Sequence, residues 1–282
     1  SGKKNGSKVI GVGVGSAYHS AGAAGFDGLV RIMPDGKLHV HSGCGNLGTY
    51  SYAATARAAA EALGGSWENM VIERGDSSKG LPFVLGQFGS NSTYTQTRTN
   101  WAAGMDAKAK LQEIAAKDLG GAPGDYDTSD GKVFNKANPS KSMSWAQAAK
   151  RAIELGGKYS GKEMPKDLNP ITKWATAGIA GTGLVGVTKD KRPKKGVTPG
   201  LVTAFVKVEV DTETGKVEVL EHVEVADCGT AVHPQSLATQ IKGGAVMGYG
   251  MALSERYVFD PKLGMSLNGS LHNSRPRTIL DV

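Results

Sequence analysis

HSGCGNLGTYSYAATARAAAEALGG (His41–Gly65) is the stretch from which the rest of the chain is read. Its first part, His41–Ser51, is a loop of Gly, Ser, Asn and Thr. Ala53–Leu63 follows at once, an alanine-rich run of high helix propensity, and Gly64-Gly65 supplies a stop. GQFGSNSTYTQ (Gly86–Gln96) repeats the arrangement and runs into a second helical stretch, Thr93–Leu119. A loop that opens a helix presents N–H groups with no intrahelical partner, together with the positive end of the helix dipole. Such ends hold anions without needing charged side chains. The two loops together predict a grip on one large phosphate-bearing cofactor.

Outward from this stretch the elements alternate. Phe26–Ser42 is a hairpin turning at Pro34-Asp35-Gly36-Lys37, with His39 an exposed strand residue and His41 entering the glycine loop. Trp67–Gly75 contains a short strand, and Asp76–Ser92 crosses an open polar loop. In Thr93–Leu119 the spacing puts Trp101, Met105 and Leu111 on the buried face. Tyr126–Phe134 and Met143–Ser144 bracket a small hairpin, and Ser142 or Ser144 caps the helix that ends at Leu155. Leu201–Asp227 is a strand pair whose alternation places one face in a core. Gln235–Leu253 is a helix lined on one side with Gly and Ala, and Glu255–Phe259 and Met265–Leu267 are short strands. These elements predict an α+β fold, with β-hairpins and a mixed sheet packed against long helices. The expected divisions are a linker or N-terminal segment over 1–25, an α+β half with the cofactor loops over 26–155, an irregular lysine-rich connection over 156–200, and a second half over 201–282.

Composition narrows the function. Of 282 residues 40 are Gly, which points to tight turns and backbone-lined sites, since helix and strand patterns run between them. The net charge of +7 gathers in runs such as Lys189, Lys191, Arg192, Lys194 and Lys195, which read as solvated loops. No aromatic residues alternate with these lysines, which argues against nucleic-acid binding. Cys44 and Cys228 are too few for an iron–sulfur cluster, and Cys44 has no second ligand at metal spacing, so both read as buried thiols. No apolar run has the length of a membrane span, and Ser1–Gly15 lacks the apolar core of a signal peptide, reading instead as a linker or cut end. A cytoplasmic protein is expected. Val9–Gly15 (VIGVGVG) has Ser16 where a dinucleotide fingerprint needs Gly, and the following SAYHSAGAAG reads as loop. Ser90 has no His and carboxylate partners in a nucleophile setting, which removes a serine hydrolase. Asp227 reads as a turn former, and His233-Pro234 as a helix start.

Five segments carry a family likeness: Gly43–Ala62, Gly75-Asp76 through Thr93, VEVDTETGKVEV (Val208–Val219), ADCGTAVHP (Ala226–Pro234) and QIKGGAVMGYGMALSE (Gln240–Glu255). In this order they resemble the second molybdopterin-binding domain of the molybdenum hydroxylases, the xanthine dehydrogenase and aldehyde oxidoreductase family. The resemblance implies loops around a pterin carrying dithiolene-bound molybdenum, in its cytosine dinucleotide form. It also implies hydroxylation of aldehydes or N-heteroaromatic compounds with oxygen from water, and electrons leaving through iron–sulfur clusters to FAD on partner chains. The implied partners are the other molybdopterin-binding chain or segment, an iron–sulfur subunit, a flavin subunit and a small-molecule substrate.

By the same resemblance the cofactor is held by Gly45, Asn46, Gly48 and Thr49 of the first loop, Gly89, Ser90, Asn91, Ser92 and Thr93 of the second, and Gln240. Where the family reads Met-Gly-Gln-Gly this chain has Asn46-Leu47-Gly48-Thr49, so Gly48 replaces the Gln that reaches toward the metal. No protein side chain ligates the metal directly. The family's general base, a Glu in a Gly-Glu-Pro-Pro segment, is expected beyond Val282, leaving no catalytic residue in this chain. A second reading stays open on the residues alone. Capping and cofactor binding use the same donors, so the loops could serve only to cap helices in a non-catalytic module whose 156–200 segment binds a partner.

Overall fold

The chain opens on strands rather than on the expected linker: β1 (Lys3–Asn5) and β2 (Lys8–Ser20) pair antiparallel, Lys3 opposite Ile10 and Asn5 opposite Lys8. The glycines in VIGVGVG read as punctuation in the sequence. The β-branched residues between them govern instead, and a Gly6-Ser7 turn with Gly6 at φ 60° reverses the chain. In the computed structural model residues 2–194, 196 and 198–281 are described. They form two units, Ser20–Thr198 and Ser1–His19 with Pro199–Val282, in place of the division expected at residues 26, 156 and 201.

Within Ser20–Thr198, the hairpin β3 (Asp27–Ile32) and β4 (Leu38–His41) pairs Leu29 with His41 and Ile32 with Leu38. Then come α1 (Ser51–Leu63), β5 (Met70–Glu73) and α2 (Ser92–Leu119). β6 (Tyr126–Ser129), β7 (Lys132–Asn135) and β8 (Ser142–Ser144) form a small antiparallel sheet. α3 (Trp145–Leu155) follows, capped by Ser144 in a reciprocal box with Gln147. The expected irregular connection over 156–200 contains α4 (Pro170–Ile179) and β9 (Leu184–Lys189). Both had local signals that lysines and prolines on either side obscured. Asn169 caps α4 with Pro170 as its first residue, and LVGV is a short apolar run.

The main sheet has the order β5-β4-β3-β9 and is mixed, because β5 runs parallel to β4 while β3 pairs antiparallel with both neighbours. β9 is therefore an edge strand, and its outward-facing backbone groups need partners. The Tyr159 carbonyl accepts from the Val185 N–H at 2.9 Å, and α2 supplies two more. Asp106 accepts from the Val187 N–H at 2.8 Å, and Lys110 donates to the Val185 carbonyl at 2.7 Å and to Asp106 at 2.6 Å. This ladder of side chains fixes α2 along the sheet.

The face α2 buries is small: Thr95, Thr99, Ala103, Ala107, Leu111 and Ile114 are covered, whereas Met105 is 41% exposed and Trp101 half-buried. Spacing alone put the two large residues inside. The backbone of α2 sits too near the sheet to admit them. At Gly28 on β3 a Cβ would collide with the Thr99 carbonyl oxygen and lie 3.0 Å from the Ala103 Cβ. The same packing continues into α1, whose Ala56, Ala59, Ala60 and Leu63 join the core with Val30, Val40 and Leu184. Lys191, Arg192 and Lys194 of the 189–195 run are exposed, as a solvated loop should be, and two of them have surface partners. Lys191 pairs with Asp167 at 3.2 Å and Lys194 donates to the Gly22 carbonyl, while Lys195 lies outside the described residues.

In the other unit, β10 (Pro199–Asp211) and β11 (Val217–Asp227) pair antiparallel as expected, within a sheet of order β1-β2-β10-β11. α5 (Pro234–Leu253) starts on His233, whose ring accepts from the Ser236 N–H, and Pro234 is its first residue. Its Gly244, Ala245 and Gly248 face Val206, Val208 and Val219 across a cavity of about 440 Å³, so the apolar strand face is half-buried rather than sealed. Cys228, expected in the core, is exposed beyond the end of β11. The two expected strands after α5 reduce to one bridge, Phe259 with Ser266.

Because α2 touches β3 backbone to backbone, Gly28→Ala is expected to destabilise the fold by about 1–3 kcal/mol or more, as overpacking does. Urea unfolding of the variant beside the parent protein measures it.

Candidate functional site

The two loops meet. Gln87, in the second loop, donates from its amide nitrogen to the Ser51 hydroxyl at 3.1 Å, and its carbonyl oxygen lies 3.4 Å from where a Gly45 side chain would begin. Earlier in the same loops Gly43 lies against the Pro82 carbonyl so closely that a Cβ could not be accommodated. Cys44 is buried, its Sγ 3.7 Å from the Ser51 hydroxyl, so this thiol belongs to the packing beneath the loops.

Further along, Gly104 of α2 packs on Ala59 and Ala62 of α1. Residue numbers thus rise together along both helices, from Ser51 beside Gln87 to Ala62 beside Gly104. The helices run the same way, and their N-termini lie at the same end.

Each helix is entered through a non-glycine residue in the left-handed region, Tyr50 (φ 53°) before α1 and Ser90 (φ 54°) just before the N-cap of α2. Such backbone costs on the order of 1 kcal/mol per residue and is found where surroundings impose it. In the first loop Asn46 does so: its side-chain oxygen accepts from the Gly48 and Tyr50 N–H groups at 3.0 and 3.4 Å. In the second, Asn91 donates both side-chain hydrogens back to the Gly86 and Phe88 carbonyls. Asn46 and Asn91 therefore shape their loops. Neither N-cap residue, Tyr50 or Asn91, accepts a side-chain cap bond. The capping-only reading had these loops spending their donors on the helix ends, and no N-cap side chain performs that task here.

What remains available is a set of backbone N–H groups and small hydroxyls. Gly45, Asn46, Gly48, Thr49, Gly89, Ser90 and Thr93 are exposed, Ser92 is half-buried and Asn91 is buried. All nine lie in the Ser20–Thr198 unit. Gln240 lies in the other unit, exposed in the second turn of α5. The donor set is neutral, hydrogen-bonding and backed by two positive helix ends, a chemistry that fits a phosphorylated pterin. Gln87 was missed from sequence, where it looks like any polar loop residue; what marks it is the facing Ser51, 36 positions away in a folded contact.

The strand leading into the first loop ends in a buried imidazole. His41 is 1% exposed, and the Gly80 backbone faces its ring without satisfying both nitrogens. Burial, and then the nearby positive charge of Arg31, pull it down to about 4. His39, expected to be exposed, is half-buried and bonds Glu73 at 3.0 Å. The Lys79 ammonium, 2.9 Å away, and this histidine hold the Glu73 carboxyl below its ordinary range.

Comparison with known proteins identifies the family. The family described as the molybdopterin cofactor-binding domain matches residues 1–282, and the chain belongs to that family. It is similar to the aldehyde oxidoreductase molybdenum-binding subunit PaoC of Escherichia coli O157:H7, 26% identical over 94% of this chain and 31% of the relative. It is also similar to the carbon monoxide dehydrogenase large chain of Hydrogenophaga pseudoflava, 28% identical over 90% of this chain and 29% of the relative. The chain thus spans about a third of the length of the curated relatives it matches. In fold it resembles the crystal structure of the Cu,Mo-CO dehydrogenase in its carbon monoxide reduced state, with TM-score 0.75, 24% identity, 98% of this chain and 33% of that one. Quinoline 2-oxidoreductase from Pseudomonas putida 86 gives 0.74 at 22% identity, over 98% and 34%. No helix among the described residues is long and apolar enough to cross a membrane.

The state of His41 makes a pH prediction. An unfolded histidine titrates near 6.5, so between that value and about 4 the unfolded chain takes up a proton that the folded chain refuses. Stability from this group is complete above pH 6.5 and falls as the pH drops toward 4, by about 2–3 kcal/mol. Denaturation curves at pH 7 and pH 4.5 are expected to draw together in His41→Gln.

Proposed function

We propose that this chain is the part of a molybdenum hydroxylase catalytic subunit that clamps the molybdopterin cofactor. The observation that carries the reading is the meeting of two uncapped helix N-termini, tied by Gln87 and Ser51, in a chain of the molybdopterin-binding family. The backbone of Gly45–Thr49 and of Gly89–Ser90, with the hydroxyls of Ser90, Ser92 and Thr93, would hold the pterin and its phosphate. When bound, the molybdenum centre supplies oxidative hydroxylation with oxygen from water. The chain's own contribution is orientation and a field favourable to negative charge.

The Gln87 side chain reaches the first loop from outside it in a chain where Gly48 stands at the family's Gln position. It compensates by tying the loops together. The dinucleotide form of the cofactor is taken as the cytosine one, and the substrate as an aldehyde or an N-heteroaromatic compound. The general base, a further molybdopterin-binding segment, the iron–sulfur clusters and the flavin lie outside these residues. The protein works in the cytoplasm.

The test is cofactor content. Gln87→Ala removes the side-chain bond to Ser51 that joins the loops while leaving both helices intact. Molybdenum and pterin per purified chain are expected to fall by about fivefold to tenfold, the equivalent of about 1–1.4 kcal/mol. Thermal unfolding should move little. Unchanged molybdenum and pterin in Gln87→Ala would refute the clamp.

A further inference from the structure

A cavity of about 330 Å³ is lined by Arg31, His41, Glu73, Lys79, Trp174 and Ile179, with Ser78, Gly80 and Gly178. That volume is at the lower end of the range that takes small organic ligands, about 300–1,000 Å³. Its charges can be assigned. Both Glu73 oxygens are occupied, one by His39 at 3.0 Å and the other by Lys79 at 2.9 Å, so that carboxylate is matched. The charge left over is the guanidinium of Arg31. One of its terminal nitrogens donates to the Thr182 hydroxyl at 2.8 Å, but its Nε is buried with no partner. Beside it lies the buried ring of His41, neutral and therefore with a single N–H, which the Gly80 backbone faces. A buried donor without an acceptor is rare and costs on the order of 1–3 kcal/mol. The guanidinium of Arg31, in surplus on this cavity wall, is the group that calls for an acceptor.

We propose that this cavity binds a small monocarboxylate carried on an apolar body. One excess positive charge calls for a monoanion. A carboxylate accepts from the Arg31 guanidinium, and charge-assisted bonds of that kind are the strong ones. The remaining wall is apolar: Ile179 is buried, and Trp174, at 64% exposure, offers an indole face at the rim. An inorganic dianion would satisfy the donors but would leave a negative charge unmatched and the indole bare. None of the lining residues is a cofactor-loop candidate, so the site stands or falls independently of the clamp.

Isothermal titration calorimetry of the purified protein with benzoate, acetate and inorganic phosphate separates the cases. Benzoate is expected to bind saturably and more tightly than either of the others. Arg31→Gln should weaken benzoate by about tenfold or more, the loss of one charge-assisted bond. Trp174→Ala alters only a rim residue and should weaken benzoate while leaving acetate unchanged, so the idea stays testable even if Arg31→Gln folds poorly. Absence of saturable benzoate binding, phosphate binding at least as tight as benzoate, or wild-type benzoate affinity in Trp174→Ala would each overturn the assignment.

Discussion

Two helices packed side by side in the same direction bring like ends of their dipoles together, and that juxtaposition is unfavourable until something negative sits between or before them. α1 and α2 are in this position, with Ser51 beside Gln87 at one end and Ala62 beside Gly104 further along. Small residues make the approach possible, because alanines on α1 and Ala103, Gly104 and Ala107 on α2 let the backbones come close. The loops that precede them are consequently held together whether or not a ligand is present. On the proposed reading, a phosphorylated ligand would relieve a tension that the packing has already set.

The sheet keeps that packing from relaxing. α2 lies against β3 where Gly28 has no side chain, and its Asp106 and Lys110 satisfy the outer edge of β9. Lys110 is itself buried, so its pairing with Asp106 is what makes its charge tolerable there. At the opposite edge β5 completes the sheet beside β4, and β4 delivers the chain into the first loop. The loop geometry therefore depends on contacts spread across the whole unit, although the donors themselves are local.

Much of this was legible in the residues. The hairpin turning at Asp35-Gly36, both helices, the Gly64 stop and the Ser144 cap announce themselves through turn chemistry and propensity. So does the likeness to molybdopterin-binding domains, which the family match bears out. Three kinds of information were hidden. β9 and α4 sit among lysines and prolines that read as loop, and only pairing with β3 reveals the strand. Met105 obeys helical spacing yet faces water, because the nearness of two backbones decides which side of α2 is inside. Contacts such as Gln87 with Ser51, or Arg31 near His41, join residues remote in sequence and leave no local trace. Cys228 failed for a simpler reason, since alternation ends with the strand one residue before it.

Amide hydrogen exchange on the protein with and without its pterin cofactor addresses the convergence of the two helix ends most directly. The account predicts that peptides covering 45–52 and 87–94 gain protection together on loading, by a comparable factor, while the rest of α1 and α2 changes little. Protection confined to one of the two windows, or appearing in neither, would contradict it.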